Sequence, residues 1–414
     1  MNRLKKLSVL SAFTISISLI LGGCSDSGSN SDSDLGSNSD SGLDSNSVSD
    51  GGEMREMTAM EYAKDMGIGL NLGNTMEAYD ADDCDKIYYT WMPEAGNNTP
   101  QDYETLWGAV VTTQEVIDGM KNSGFNTVRI PVYWGNMMAD DGTYTINGDY
   151  IARIQEIVDY CMKDDLYAVI NIHHFDEFII RRNDPENCKK IFDTLWRQIA
   201  EHFKDYGDKL VFEGFNEYLG GQQFNESGVL ADVPEDKGYE LTNALNQTFV
   251  DAVRATGGNN AERVLIVSGY NTNIDRTTDG RFVMPADSAA DKLMVSVHYI
   301  DNLCFWINQL GGQFWLDYSK GQCELLKSRF TDNGIPVFVG ETTSRYPLDR
   351  FAGDKQYGTS SEMMEVILDM SADYGFVPVL WDVNDNAYSR TEYKMKYDSD
   401  GEIIKRIAEK IANG

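Results

Sequence analysis

Positive charge is scarce in this sequence: 35 Lys and Arg stand against 66 Asp and Glu, for a formal net charge of −31. A surface of that sign repels polyphosphate, which excludes nucleic acid as a partner and leaves a neutral partner easier to accommodate. The plainer use of the acidity is to keep an extracellular protein soluble. Metal signatures are missing too. There is no Cys-x-x-Cys and no Cys/His cluster, so no zinc site is expected, and no oxygen-ligand loop stands out; no cofactor is expected. Internal repeats are absent, and with them the solenoid and propeller folds.

A run long enough to span a bilayer comfortably is lacking at the N-terminus, where Arg3, Lys5 and Lys6 precede the short apolar stretch Leu7 to Leu21. That is the build of a secretory signal, expected to occupy residues 1–23. It runs into Leu21-Gly22-Gly23-Cys24, which resembles a bacterial lipobox, with Cys24 as the lipid-bearing residue. The stretch that follows, Ser25 to Gly52, has no aromatic and no basic residue and is almost entirely Ser, Asp, Gly and Asn. It cannot bury enough apolar surface to fold, so residues 24–56 are expected to be a flexible tether between membrane and folded domain. Without Cys24, five cysteines remain; Cys304 and Cys323 could pair, but spacing does not determine connectivity.

Residues 57–414 alternate short β-branched runs with longer amphipathic stretches, a pattern for parallel strands joined by helices. Eight strand candidates follow one another: 67–74, 127–134, 167–174, 210–217, 264–270, 293–300, 336–342 and 376–382. Helices are expected between them, for example over 150–163, 189–206, 239–255, 313–333 and 360–374. Eight is the count of a (β/α)8 TIM barrel, whereas an open nucleotide-binding sheet would place a Gly-rich phosphate loop after its first strand. Asn71-Leu72-Gly73-Asn74-Thr75 is not that loop. Long insertions at 76–113, 219–237 and 301–312 all fall on strand-to-helix connections, the face where such barrels build their sites. No second folded module is expected, and the chain is expected to be a monomer.

Polar and aromatic residues gather where these strands end: Arg129, His173-His174, Asn216-Glu217, His298-Tyr299, Glu341 and Trp381-Asp382. Cleaving a glycosidic bond needs a proton donor for the leaving oxygen and a carboxylate for the anomeric carbon. In retaining enzymes the two are about 5 to 5.5 Å apart. Glu217 and Glu341 end strands four and seven, nearly opposite around the ring, so their side chains can converge. Arg129 would keep Glu341 ionised, and Asn216 could bond a sugar 2-hydroxyl. Glu213 shares the face of Glu217 but lies deeper, where a carboxylate needs a partner. Of the tryptophans, Trp91, Trp107, Trp134, Trp306 and Trp315 are candidate sugar platforms beside an equal expectation of core packing, and Trp196 is expected within a helix.

The sequence resembles glycoside hydrolase family 5 over about Gly67 to Asp382. Its motifs are Gly69-Leu70-Asn71-Leu72-Gly73-Asn74-Thr75, Val128-Arg129-Ile130-Pro131-Val132, Asn171-Ile172-His173-His174, Phe212-Glu213-Gly214-Phe215-Asn216-Glu217, Val297-His298-Tyr299 and Gly340-Glu341. The resemblance implies a retaining β-glycanase with Glu217 as acid/base and Glu341 as nucleophile. It makes Arg129 and His298 supports of the nucleophile, Asn216 the 2-hydroxyl partner, His173 and His174 a pair beside the scissile bond, and Trp381 a stacking platform; Asn71 and Tyr299 complete the expected substrate-binding set. Three departures stand out. Tyr218 replaces the usual Pro, the strand-eight segment lacks a Gly often found there, and Ile300 occupies the place of a Tyr that touches the nucleophile. On an ideal strand Tyr299 would point the other way.

The expected activity is endo-β-1,4-glucanase on β-glucan, with β-mannan or xyloglucan as alternative substrates of the same barrel. The reading from another class is a non-catalytic oligosaccharide-binding lipoprotein, which fits the N-terminus but gives the two glutamates no task. In a bacterial host, Cys24→Ala is expected to move the chain from the membrane fraction to the soluble fraction. Equal partitioning of variant and parent would contradict lipid attachment.

Overall fold

A computed structural model describes residues 52–80, 96–217, 222–224 and 230–414. The signal segment, Cys24, Cys84, Trp91, Tyr218 and most of the expected tether lie outside the described residues. Eight parallel strands close into a barrel: β1 Gly69–Asn71, β2 Thr127–Ile130, β3 Tyr167–Asn171, β4 Leu210–Glu213, β5 Leu265–Ser268, β6 Leu293–His298, β7 Val337–Thr343 and β8 Val377–Trp381. β8 pairs with β1 through Gly69 opposite Val379 and Leu70 opposite Leu380, which completes the ring. This is the (β/α)8 fold expected from the alternation.

Seven of the eight ladders are shorter than the sequence spans, and most of the lost residues lie at their C-terminal ends; β7 keeps its length but runs one residue later, Val337–Thr343. In β2 the cause is Pro131, which has no N–H to give. Beyond the ladders the chain is still pinned by single backbone bonds, His173 N to Val132 O at 2.8 Å and Asn216 N to Ile172 O at 2.9 Å. Helix starts also differ from the expectation where a cap decides them. The helix expected from Lys189 begins at Pro185, because the Asp184 carboxylate accepts from the Glu186 and Asn187 amides and Pro185 suits the first helical position. At the other end, the helix expected to reach Asn333 stops at Arg329, and Thr331–Asn333 is a 3₁₀ turn.

Side chains along each strand alternate between two environments. Val128, Ile130, Ala168, Ile170, Phe212, Val295, Val297 and Val339 pack outward into the helix layer. Inward positions change character along the strands. Near the N-terminal mouth they are apolar: Tyr167, Val169, Val211, Ile266, Met294, Phe338, Val377 and Val379 form one cluster with Ala59, Tyr62 and Met66 of the helix Ala59–Met66, which plugs that mouth. Two residues further on they are polar, as Asn71, Arg129, Asn171, Glu213 and Ser296, all fully buried.

The plug is tied down by charge. Tyr62 Oη donates to Asp208 Oδ2 at 2.8 Å, and Arg55 Nε reaches the same oxygen at 2.6 Å while its Nη1 meets Asp65 at 2.7 Å. Arg55, expected in the tether, therefore already belongs to the folded domain. All three insertions open at the C-terminal mouth. They carry the short helix Pro100–Glu104, a two-stranded hairpin of Gln222–Phe224 with Leu230–Asp232, and the helix Asn302–Trp306.

Cys161, Cys188, Cys304 and Cys323 are buried free thiols, so the candidate Cys304–Cys323 disulfide is not formed. Because Met66 is fully buried under the barrel, Met66→Ala is expected to cost about 2–5 kcal/mol in a urea titration. A loss below about 1 kcal/mol would mean that the helix is a dispensable cover.

Candidate active site

Polar residues of the inner layer would be ruinous to bury singly, and the structure buries them as a set. Arg129 donates from Nε to Glu213 Oε2 at 2.7 Å, from Nη1 to Asn71 Oδ1 at 2.9 Å and Glu341 Oε1 at 3.3 Å, and from Nη2 to Asn216 Oδ1 at 2.8 Å. Burial opposes its charge, and Glu213 and Glu341 more than offset that, raising its pKa. Glu213 is shared further, accepting from Ser296 Oγ at 2.7 Å and Asn171 Nδ2 at 3.1 Å. It is the buried structural carboxylate that its spacing implied.

Above this floor stand Glu217 and Glu341. One donor atom each from Glu217, His298 and Glu341 lie within 4.8 Å of one another. His298 Nδ1 is 2.9 Å from Glu217 Oε1 and 3.7 Å from Glu341 Oε1, so this ring faces both carboxyls. Among the described residues this is the one trio spaced to hold a cation, and Arg129 already pairs with one of its carboxylates, Glu341. The two carboxyls differ in their company. Glu341 is touched by Arg129 and by the Tyr299 phenol, which donates to Oε2 at 2.7 Å; among the described residues Glu217 bonds His298 alone, and it is the more exposed, 23% against 7%.

Their acidities follow. Burial pushes Glu217 up to about 7, with Arg129 pulling the other way. For Glu341, burial and the Glu217 charge raise the pKa while His298, Arg129 and the Tyr299 hydrogen bond hold it down; the net direction is upward. Burial lowers His298 to about 4 and His174 to about 3, and lowers His173 well below its usual range, so all three rings are neutral near pH 7.

Tyr299 is placed differently from the strand-alternation expectation. β6 ends at His298 after a register shift against β7, and Tyr299 adopts a left-handed φ of 47°. Its amide bonds Glu341 O at 2.9 Å and its ring swings to the carboxylate, while Ile300 is buried in the core. The tyrosine that the resemblance located at position 300 is thus supplied one residue earlier, by a backbone conformation with no sequence signature. Gly340 makes room for the neighbouring His298 ring: a Cβ there would lie 3.1 Å from His298 Nε2.

Two residues expected to face substrate lie beneath the site instead. Asn71 and Arg129 are fully buried, and Asn71 spends its amide on Gly340 O at 2.9 Å and Leu380 O at 3.1 Å. Asn216 keeps its carbonyl on Arg129 and sets its amide 3.3 Å from His173 Nε2. His173 stacks on Trp381 at 5.9 Å and 4° between planes, and Trp381 remains partly exposed. His174 packs against Tyr79 and Trp107 at 5.5 and 5.7 Å, which joins the first insertion to the same cleft. Trp134 and Trp315 are core, their indole N–H groups bonded to Asn171 O and Asp301. Trp196 is likewise buried, in the helix Pro185–His202.

Sequence reasoning assigned no role to Asn171 and Ser296, although each sits two residues before a site histidine on an inward position. It also missed Asp176 and Glu177, whose carboxyls are raised by burial and by nearby negative charge that includes Glu217.

Comparison with known proteins follows the same lines. The family model described as Cellulase (glycosyl hydrolase family 5) matches residues 91–387. Endoglucanase A of Paenibacillus barcinonensis is 33% identical over 364 residues, covering 80% of this chain and 84% of that protein. Endoglucanase A of Ruminococcus albus is 35% identical over 300 residues, 70% and 75% of the two chains. Among solved structures, a broad-specificity endoglucanase from an uncultured bovine rumen ciliate superposes with a TM-score of 0.70 at 33% identity, over 86% of this chain and 99% of that one. One from Ruminococcus champanellensis with bound cellotriose gives 0.71 at 30%, over 85% and 99%.

Since Arg129 and Glu213 are a fully buried pair, Glu213→Ala leaves a charge stranded in the barrel. The expected cost is about 3–5 kcal/mol, read from the denaturant midpoint. A variant as stable as the parent would show that the pair is not what holds this layer.

Proposed function

The chain belongs to glycosyl hydrolase family 5, and on that premise we propose that it is a retaining endo-β-1,4-glucanase hydrolysing β-glucan by double displacement. Glu217 is the general acid/base and Glu341 the nucleophile. The observation that carries the proposal is the pair's spacing, donor atoms within 4.8 Å. That closeness favours the retaining arrangement, with carboxyl groups about 5 to 5.5 Å apart, over an inverting one, which needs roughly 6.5 to 9.5 Å.

In the first step a Glu341 oxygen bonds the anomeric carbon as the glycosidic C–O bond breaks, and the Glu217 proton passes to the departing oxygen. In the second, water attacks that carbon, gives its proton to Glu217, and frees Glu341. The unequal surroundings fit this division. Arg129 and Tyr299 hold Glu341 in line and stabilise its charge, while Glu217, with a pKa near 7 and one neutral imidazole beside it, keeps a proton to give. Asn216, its carbonyl fixed by Arg129, presents its amide toward the sugar 2-hydroxyl, and Trp381 offers its ring beneath the sugar being cleaved. We further propose secretion and anchoring to the bacterial envelope through Cys24, with the chain acting as a monomer. The endoglucanase names of the relatives favour β-glucan over mannan.

The test is reducing-end release and viscosity loss on soluble β-glucan, xyloglucan and mannan. β-Glucan is expected to be cut fastest, with viscosity falling early. Glu217→Gln and Glu341→Gln are each expected to lose at least about 100-fold in kcat/KM. The working acid is protonated Glu217, so the parent's kcat/KM is expected to fall as pH rises through about 7 and that limb to vanish in Glu217→Gln. Variants with parental rates would remove both role assignments.

A further inference from the structure

Among the buried charges to which the proposed mechanism gives no task, Arg390 lies where the barrel closes. It is on the connection after β8, in the hairpin of Tyr388–Ser389 with Lys394–Met395. Beyond their ladder, β1 and β8 stay joined by a bridge between Gly73 and Val383, with Gly73 N donating to Asp382 O at 3.0 Å. Arg390 Nη2 spans that seam, donating to Gly73 O at 2.9 Å and to Asp382 O at 3.2 Å. One nitrogen therefore ties together a carbonyl from the extension of each strand.

The loop that carries Arg390 is folded for this reach. Asp382 accepts from the Ala387 amide at 2.6 Å and the Tyr388 amide at 3.4 Å, and Asp385 accepts from the Arg390 amide at 2.6 Å. Burial raises the Glu77 and Asp382 carboxyls, and the Arg390 charge pulls both the other way. A buried arginine that only braces the wall looks different. Arg263 spends all three of its nitrogens on hydrogen bonds, whereas Arg390 Nε and Nη1 meet no acceptor among the described residues. The bonds that Arg390 does make are the two that cross the seam.

What the seam touches is Trp381. Its carbonyl accepts from Ser344 Oγ at 2.5 Å, and the next carbonyl, that of Asp382, is the one held by Gly73 and Arg390. Its ring lies against the same seam: a Cβ at Gly73 would meet Trp381 Cζ2 at 3.2 Å and Asp382 O at 2.5 Å. We propose that Arg390 is a positioning residue, which by bonding Gly73 O and Asp382 O fixes the seam on which the Trp381 ring rests, and with it the platform beneath the sugar being cleaved. The proposal rests on the reading of Trp381 as that platform. A displaced platform shifts the reacting sugar relative to both carboxyls, so the loss falls on kcat more than on KM.

The experiment is a double-mutant cycle on soluble β-glucan with the full chain, Arg390→Lys, Trp381→Ala and the two combined, reading kcat and KM. Lysine keeps the positive charge that Glu77 and Asp382 face but not the planar fork. In the parent background Arg390→Lys is expected to lower kcat about tenfold and leave KM within about twofold. Added to Trp381→Ala, it is expected to lower kcat by less than about twofold, because the ring through which it acts is gone. A parental kcat in Arg390→Lys overturns the proposal. So does an equal fall in both backgrounds, which would make Arg390 a brace of the fold with no special tie to Trp381. Parental kinetics in Trp381→Ala overturn instead the platform reading on which the proposal rests, and an inactive parent overturns the hydrolase reading. Should Arg390→Lys fail to fold by circular dichroism, Gly73→Ala decides in the same cycle, since its Cβ presses the seam open from the other strand: a kcat loss that disappears with Trp381→Ala supports the proposal, and an equal loss in both backgrounds overturns it.

Discussion

One buried positive charge organises this site. Arg129 has no exposed surface, and a guanidinium taken out of water is tolerable only if its donors find acceptors in good geometry. It finds them on three other parts of the ring, Asn71 on β1, Glu213 and Asn216 on and just past β4, and Glu341 on β7. The barrel must therefore close with these strands in register, or the charge is stranded. Glu341 is aimed into the cleft as one consequence, and Asn216 and the turn toward Glu217 are fixed as another. The proposed catalytic geometry and the satisfaction of the core rest on the same set of hydrogen bonds.

Two glutamates close together would ordinarily behave alike, and their surroundings make them differ. Glu341 receives hydrogen bonds from a guanidinium and a phenol. Glu217 has neither and a more exposed carboxyl. The imidazole between them is kept neutral by burial, so it can orient both without adding charge that would strip the proton from Glu217. The proposed division of labour rests on what touches each oxygen.

The alternation of apolar runs made the eight strands and the barrel legible, because a buried parallel sheet leaves little freedom in composition. The two glutamates were legible for a related reason: a charged residue at the end of an apolar strand has few other uses. What escaped was set by backbone detail or by depth. Nothing in His298-Tyr299-Ile300 announces the left-handed turn that brings Tyr299 onto Glu341. Asn71 looked like a cleft residue because alternation gives the face of a side chain but not its depth, and one layer down its amide is consumed by Gly340 and Leu380. The same blindness to depth left Trp134 and Trp315 among the candidate platforms, although both belong to the core. Asp184, by contrast, was a readable cap that pattern matching on apolar residues passed over.

The central claim, that the two carboxyls are close enough for one of them to bond the sugar, fixes the stereochemistry of the product. Proton NMR of β-glucan hydrolysis in its first minutes, before mutarotation, reads it directly. The account predicts that the β-anomer of the new reducing end appears first and the α-anomer grows in later. An α-anomer appearing first would mean that water attacks the anomeric carbon without a covalent intermediate, and the assignment of Glu341 would be contradicted.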